Sequence, residues 1–287
     1  MALEPRQMEA DKGGMAAQTK GGGTSMKIGI APLYINNPAI DEFVRNLPER
    51  FETEGKILHA ERNVIKKFAL DSCDSTLDNI VVKRYRKPNL FQRFIYSFFR
   101  QNKAKRAFHN GLALHERGIS TPSSIAYLEL WKGGLFQYGY YVTDNDGAPP
   151  IREELIEKEE FNRTMAEDFA AFAAELHEKG ILHHDLNSTN VLYHLQGGHY
   201  TFSVIDINRM NFKPIGQCPS RTECMENLTR FTGRMDLFEY VLRHYATCRN
   251  WDVEKSVHQA IAVKVRHDEQ WRRRKAFLKR FKRRKNN

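Results

Sequence analysis

The chain has 287 residues, 41% of them hydrophobic, enough to bury one large core or two smaller lobes, and no segment repeats at a fixed period. No apolar run has the length of a membrane span and residues 1–25 lack the apolar middle of a signal peptide, so the chain is expected to stay in the cytosol. The formal charge of +10 is a property of the tail: residues 271–287 hold ten Lys or Arg and no acid, so residues 1–270 balance to about zero, which argues against a body that binds nucleic acid throughout.

Residues 1–25 are small, polar and unpatterned and read as a disordered leader, with Met26 as an alternative start. Gly21, Gly22 and Gly23 are not a phosphate loop, because no strand precedes them and no helix with Lys-Ser or Lys-Thr follows. Short runs rich in β-branched and aromatic residues predict strands over 56–59, 64–69 and 79–85, joined by short polar turns and therefore antiparallel. A basic-aromatic stretch, 89–100, leads into a predicted helix over 103–117 that stops at Gly118, with Pro122 beyond it. Two more strands, 124–131 and 138–143, flank the Gly133-Gly134 turn.

After Asp144 and Pro149-Pro150 the pattern turns helical. Phe161, Met165, Phe169, Phe172 and Leu176 recur at three- and four-residue steps up to Gly180, which predicts a buried helix. Strands over 191–195 and 200–207 enclose Gln196-Gly197-Gly198-His199 as a hairpin, and helices fill most of 225–285. The expected division is a sheet-built lobe over 26–143, a helical lobe over 144–270 and a basic amphipathic tail over 271–287. Cys73, Cys218, Cys224 and Cys248 lie too far apart for a paired zinc pattern and read as reduced thiols.

The strongest chemical signal is His183-His184-Asp185-Leu186-Asn187-Ser188-Thr189-Asn190, followed across the hairpin by Ile205-Asp206-Ile207. Phosphoryl transfer needs a carboxylate to orient and deprotonate the acceptor hydroxyl, and a second carboxylate with an amide oxygen to hold the magnesium that neutralises the phosphates. Asp185 fits the first role, and Asn190 with Asp206 the second. Each alone would be an ordinary turn former, but their order and the elements around them point to magnesium-ATP chemistry. The alternative, His183 and His184 as metal ligands, is disfavoured because adjacent residues rarely point at one ion.

Upstream, Lys83 lies in an apolar strand at the place of the lysine that binds the ATP α- and β-phosphates, and strand register decides between it and Arg84. The phosphate-covering turn falls at 59–63, without Gly-x-Gly-x-x-Gly. Backbone amides or Arg62 cover the phosphates there, and Asn63 and Asp144 complete the expected nucleotide-binding set.

On these residues, on 103–108, on Gly118-Ile119-Ser120-Thr121-Pro122 and on Asp206-Ile207-Asn208-Arg209-Met210, the chain resembles the lipopolysaccharide core kinases of the Kdo/WaaP family, from about residue 26 to the region of Cys248. The resemblance implies an α+β, two-lobed protein-kinase-like fold with an antiparallel-sheet N-lobe and a mainly helical C-lobe. It also implies an ATP- and Mg2+-dependent kinase that phosphorylates a Kdo or heptose hydroxyl of a lipid-linked inner core, on the cytoplasmic face of the bacterial inner membrane. Asn187, where protein kinases carry Lys, and His184, where they carry an Arg that anchors a phosphorylated loop, favour a non-protein acceptor.

The acid expected to pair with Lys83 is a departure: its position falls at His109, with Glu116 two turns further on. A RIO-like or small-molecule phosphotransferase, and a pseudokinase that binds membrane or RNA, therefore stay open as alternatives. Trp271, Leu278 and Phe281 share roughly one helical face amid Lys and Arg, as in an interfacial helix on anionic lipid. Phe91, Phe94, Ile95, Phe98 and Phe99 show similar spacing beside Arg84, Arg86, Lys87, Arg93 and Arg100, and either pack on the small lobe or face lipid.

Overall fold

A computed structural model describes residues 23–70 and 79–285; most of the expected leader, and Cys73, lie outside the described residues. The chain divides into two compact units. The first runs through Glu116 and resumes over Thr121–Asp146; the second takes Arg117–Ser120 and everything from Gly147 onward. The boundary expected at 143/144 thus falls at Asp146. The short excursion has a physical cause, since the Arg117 guanidinium donates to the carbonyls of Lys179 (2.6 Å) and Lys213 (2.8 Å) in the second unit.

In the first unit, β1 (Thr24–Ile30), β2 (Lys56–Ala60), β3 (Val64–Phe68), β4 (Ile80–Arg84), β5 (Ser124–Lys132) and β6 (Leu135–Asp144) form one antiparallel sheet in the order β1-β5-β6-β4-β3-β2. Thr24 and Ser25, which composition groups with the leader, pair with Lys132 and Trp131, so the leader reading is corrected at these two residues. One face of the sheet packs on α1 (Pro38–Thr53), an element absent from the predicted set. Asn37 caps α1 by accepting the Ala39 and Ile40 amides, Pro38 opens its first turn, and Ile40, Phe43, Val44, Leu47 and Phe51 form one buried stripe. That stripe meets Phe68, Ile80, Val82, Leu128, Tyr140 and Val142, and each such burial contributes roughly 1.5–3 kcal/mol.

The other face receives α3 (Lys103–Glu116), which turns Ala104, Ala107, Phe108, Gly111 and Leu114 inward. Asn102 caps it, accepting the amides of Ala104 (2.9 Å) and Lys105 (3.2 Å). Gly139 permits the close approach, because a Cβ there would lie 2.9 Å from that of Ala104. The basic-aromatic stretch before α3 forms α2 (Leu90–Phe98).

In the second unit, α4 (Arg152–Leu155) precedes α5 (Arg163–Glu178), which Asn162 caps through the Met165 amide. Met165, Phe169, Phe172 and Leu176 are buried as predicted, whereas Phe161 lies before the cap and packs edge-on against Tyr240. Beyond come β7 (Ile181–His183), the hairpin of β8 (Val191–Gln196) and β9 (His199–Val204), β10 (Met210–Phe212), α6 (Arg221–Leu228), α7 (Met235–Cys248) and α8 (Val253–Lys285). Gly197 (φ 59°) and Gly198 (φ 87°) supply the two positive-φ positions of a tight hairpin turn. Position 271 falls inside α8 and is not an element boundary.

Gly180 joins α5 to β7 at φ 74°, and a Cβ there would come within 2.6 Å of the Gln217 carbonyl. Gly180→Ala is therefore expected to cost about 2 kcal/mol, from the left-handed backbone and the contact together. Thermal denaturation checks this; an unchanged midpoint would refute it.

Candidate active site

The loop over 184–190 hangs from β7, whose partner β10 pairs Met210 with His183 and Phe212 with Ile181. Every turn of the loop is closed by its own groups. The Leu186 amide donates to His183 O (3.0 Å), the Asn187 amide to Asp185 O (2.8 Å) and the Asn190 amide to Asn187 O (2.9 Å). Asn190 Nδ2 also donates to Asp185 O at 2.9 Å. Its amide nitrogen is thus committed to the loop, and its oxygen is the atom with lone pairs to offer a cation.

Asp206 follows β9 in the left-handed region, φ 56° and ψ 41°, which a non-glycine residue holds at a cost of order 1–3 kcal/mol. Asn208 Nδ2 donates to Asp206 Oδ1 at 2.8 Å. The preceding residue ties this turn to the loop, since the Ile205 amide donates to Asn190 O (2.9 Å). A carboxylate and an amide oxygen held on two linked turns are hard oxygen donors that fit Mg2+.

His183 does the linking from below. It is fully buried, its Nε2 donates to Ile205 O (2.9 Å) and its Nδ1 accepts the Asp185 amide (3.1 Å). That pair of bonds requires the neutral imidazole, and burial pushes its pKa below the usual histidine value. The reading of His183 and His184 as joint metal ligands fails on this geometry: His183 faces inward and His184 is exposed.

Behind His183 stands a buried chain that the motif does not reveal. Asn227 of α6 donates Nδ2 to His183 O (2.8 Å), and its Oδ1 receives His177 Nε2 (3.0 Å). His177 Nδ1 in turn meets the Tyr245 hydroxyl of α7 at 2.8 Å. Burial holds the His177 imidazole down at about 4, so it is neutral and its two nitrogens are donor and acceptor.

Arg230, in the turn after α6, places its guanidinium 3.7 Å from Asp185 Oδ1, with both side chains partly exposed. The buried Lys264 of α8 fixes that turn, donating Nζ to Thr229 O (3.0 Å) while pairing with Asp268 (3.1 Å). Arg230 thus sets a positive charge beside the Asp185 carboxylate. Asn187 Oδ1 accepts the Thr189 amide (3.0 Å), so this side chain caps the loop.

In the first unit, register resolves Lys83 from Arg84. Arg84 points to the α1 face, where it pairs with Glu52 and lies over Phe51 (4.5 Å) and Tyr138 (5.3 Å). Lys83 pairs in the ladder with Tyr141 and belongs to the α3 face, its Nζ 5.3 Å from the Tyr85 ring centroid. His109 is exposed on α3 and so is Glu116, which corrects the expectation that either marks the position of an acid partner: the inward face of α3 carries no carboxylate. The buried acid on this side of the sheet is Glu129 of β5, bonded by Asn102 and by Trp131 Nε1 (3.3 Å), with Lys105 and Lys27 as its nearby charges and a pKa raised by burial.

Asn63 Oδ1 accepts the Arg86 amide (3.2 Å), which ties the β2–β3 turn to the segment after β4. Arg62 lines a cavity of about 440 Å³ with Arg86, Lys87 and Lys103. Asp144 is not gathered with them. It pairs with Ile80 at the far end of β4, and its Oδ1 accepts the Ser123 amide at 2.7 Å.

A sheet unit with an inward strand lysine, and a helical unit with this loop, are the parts of a protein-kinase-like fold. That fold is shared with a solved structure described as "WaaP in complex with acyl carrier protein", at a TM-score of 0.55 and 17% identity over 85% of this chain and 98% of that one. Residues 60–265 match the Lipopolysaccharide kinase (Kdo/WaaP) family, and the chain belongs to that family. It is also similar to a 3-deoxy-D-manno-octulosonic acid kinase of Vibrio vulnificus (strain YJ016), 26% identical over 133 residues, or 45% of this chain. The match spans 55% of that protein, so the chain covers about half the length of the curated relative.

Proposed function

We propose that the protein is an ATP-dependent kinase that phosphorylates a Kdo or heptose hydroxyl of a lipid-linked lipopolysaccharide inner core. The observation that carries this reading is the closed loop in which His183 links Asp185, Asn190 and the strained Asp206 turn. Asp185 accepts the proton of the acceptor hydroxyl as that oxygen takes the γ-phosphoryl group from ATP and ADP leaves, while Arg230 beside it draws the Kdo carboxylate of the inner core. Asn190 and Asp206 would hold Mg2+, which when bound neutralises charge on the phosphates. Lys83 and Arg62 serve the nucleotide phosphates, and Asn63 shapes the turn that carries Arg62; Asp144, at the far end of β4, contacts the nucleotide away from the phosphates.

The acceptor is membrane-anchored, which places the enzyme on the cytoplasmic face of the bacterial inner membrane. The basic end of α8, with Trp271 exposed, docks on anionic lipid there. Among the described residues no helix is long and apolar enough to cross a membrane. The side chains of Leu278 and Phe281 lie outside the described residues.

Incubation of the full chain with magnesium-ATP and a Kdo-bearing lipid A precursor is expected to add one phosphate, read by mass spectrometry, with heptose-bearing core as the competing acceptor. ATP binding with no mass gain on either acceptor would overturn the kinase reading. It would favour a nucleotide-binding protein without transfer, the reading that the carboxylate-free inner face of α3 supports.

A further inference from the structure

Helix α2 is built inside out. Its polar side chains hold it to the sheet: Arg93 Nε donates to Phe136 O (2.9 Å), Ser97 Oγ accepts the Phe136 amide (3.1 Å), and Tyr96 packs edge-on against the Phe136 ring at 5.8 Å. Its apolar side chains face water. Leu90 is 73% exposed, Phe91 73%, Phe94 50%, Phe98 63% and Phe99 76%, and no residue of the helix is buried. The ring of Phe94 meets those of Phe98 and Phe99, with centroids 4.9 and 5.8 Å apart, so these three form one exposed cluster. A patch of five large apolar side chains within ten residues marks a surface that something else covers.

Charge identifies the cover. From Lys83 to Arg106 the chain carries nine Lys or Arg and no Asp or Glu. Arg84 is spent on the α1 face, but Arg86, Lys87 and Arg100 are exposed at the two ends of α2. Aromatic rings ringed by cations are the chemistry of an anionic bilayer surface, with rings below the head groups and guanidinium or ammonium groups among them.

The geometry points to α2 as a membrane-inserting helix: Leu90, Phe91, Phe94, Phe98 and Phe99 enter the acyl boundary of an anionic phospholipid bilayer while the flanking Arg and Lys hold its head groups. This contact is separate from the basic end of α8 and does not depend on the identity of the acceptor sugar.

The test uses the full chain with vesicles of phosphatidylglycerol and phosphatidylethanolamine, and with phosphatidylcholine vesicles as the uncharged control. The wild type is expected to co-sediment with the anionic vesicles alone, and Phe91→Ser/Phe98→Ser to bind them at least about tenfold more weakly at an unchanged melting temperature, because these side chains support no core. In a Phe98→Trp variant, brominated phosphatidylglycerol should quench emission beyond the loss seen in the parent. Undiminished binding by the double variant overturns the proposal. So does quenching no greater than in the parent, or a vesicle-independent dimer that the double variant abolishes. Phosphate transfer to a lipid-free core sugar, assayed in parallel, separates the two readings: it fails if the kinase reading is wrong and stays unchanged in the double variant if only membrane contact is lost.

Discussion

Asp185→Ala is expected to lower the rate of phosphate transfer by about 10³-fold or more while leaving the fold intact, the range that loss of a positioned general base produces. Stability should hardly move. The carboxylate is partly exposed and its ion pair with Arg230 is long at 3.7 Å, so its removal costs little. Asp185→Asn sharpens the test, because the amide keeps the shape and the backbone bonds of the loop while losing the basic oxygen. The measurement is single-turnover transfer at saturating magnesium-ATP, with the melting temperature as control. If the Asn variant retained a tenth of the activity, Asp185 would be a positioning group and not the base.

The second large effect lies in the buried chain from Tyr245 to His183. Asn227→Ala would leave His177 Nε2 without a partner in a dry interior and take one of two donors from the His183 carbonyl, which keeps the Leu186 amide, at an expected cost of about 2 kcal/mol and a fall of roughly 4–8 °C in Tm. The same chain predicts how stability varies with pH. His177 has its folded pKa lowered to about 4 from 6.5, so on acidification the unfolded chain takes up this proton first. Stability is therefore full above pH 6.5 and falls as pH drops from 6.5 towards 4, by about 3 kcal/mol at the lower end. The Arg249 charge, which also disfavours the protonated ring, acts in the same direction. Denaturant melts at closely spaced pH values check this. His177→Gln should flatten the slope in that window, and an unchanged slope would show that other groups titrate there.

The loop that carries Asp185 and Asn190 was legible as structure because it is local. Asp185 and Asn190 are five residues apart, and the alternating and helical patterns on either side identify the supports that hold them. The turn at Asp206 was readable as the end of the β8–β9 hairpin, but not its left-handed backbone. The supporting residues were not readable: Asn227 and Tyr245 reach His183 and His177 from 44 and 68 positions away, and nothing in a buried Asn or Tyr advertises its partner. Helix α1 is a different kind of miss, since Ile40, Phe43, Val44, Leu47 and Phe51 carry an ordinary helical stripe after an Asn-Pro start, and the signal was present. Strand β1 carried no such warning, because its first two residues continue a Gly-, Ser- and Thr-rich run and only pairing with β5 gives them structure. For α3, the position facing inward could not be fixed from periodicity alone, and the exposed His109 occupied the wrong side of the helix.

The division of labour between Lys83 and Arg84 has a consequence for how the sheet proofreads itself. A one-residue slip of β4 would put the lysine among Phe51, Tyr138 and Glu52 and send the arginine to the α3 face. A lysine cannot lie flat between two aromatic rings and offer a planar fork to a carboxylate, so the slipped strand forfeits the contacts that only a guanidinium makes. The two neighbouring cations are thus not redundant. The arginine acts as a key that fits one lock, and by seating itself it delivers the lysine to the other side of the sheet.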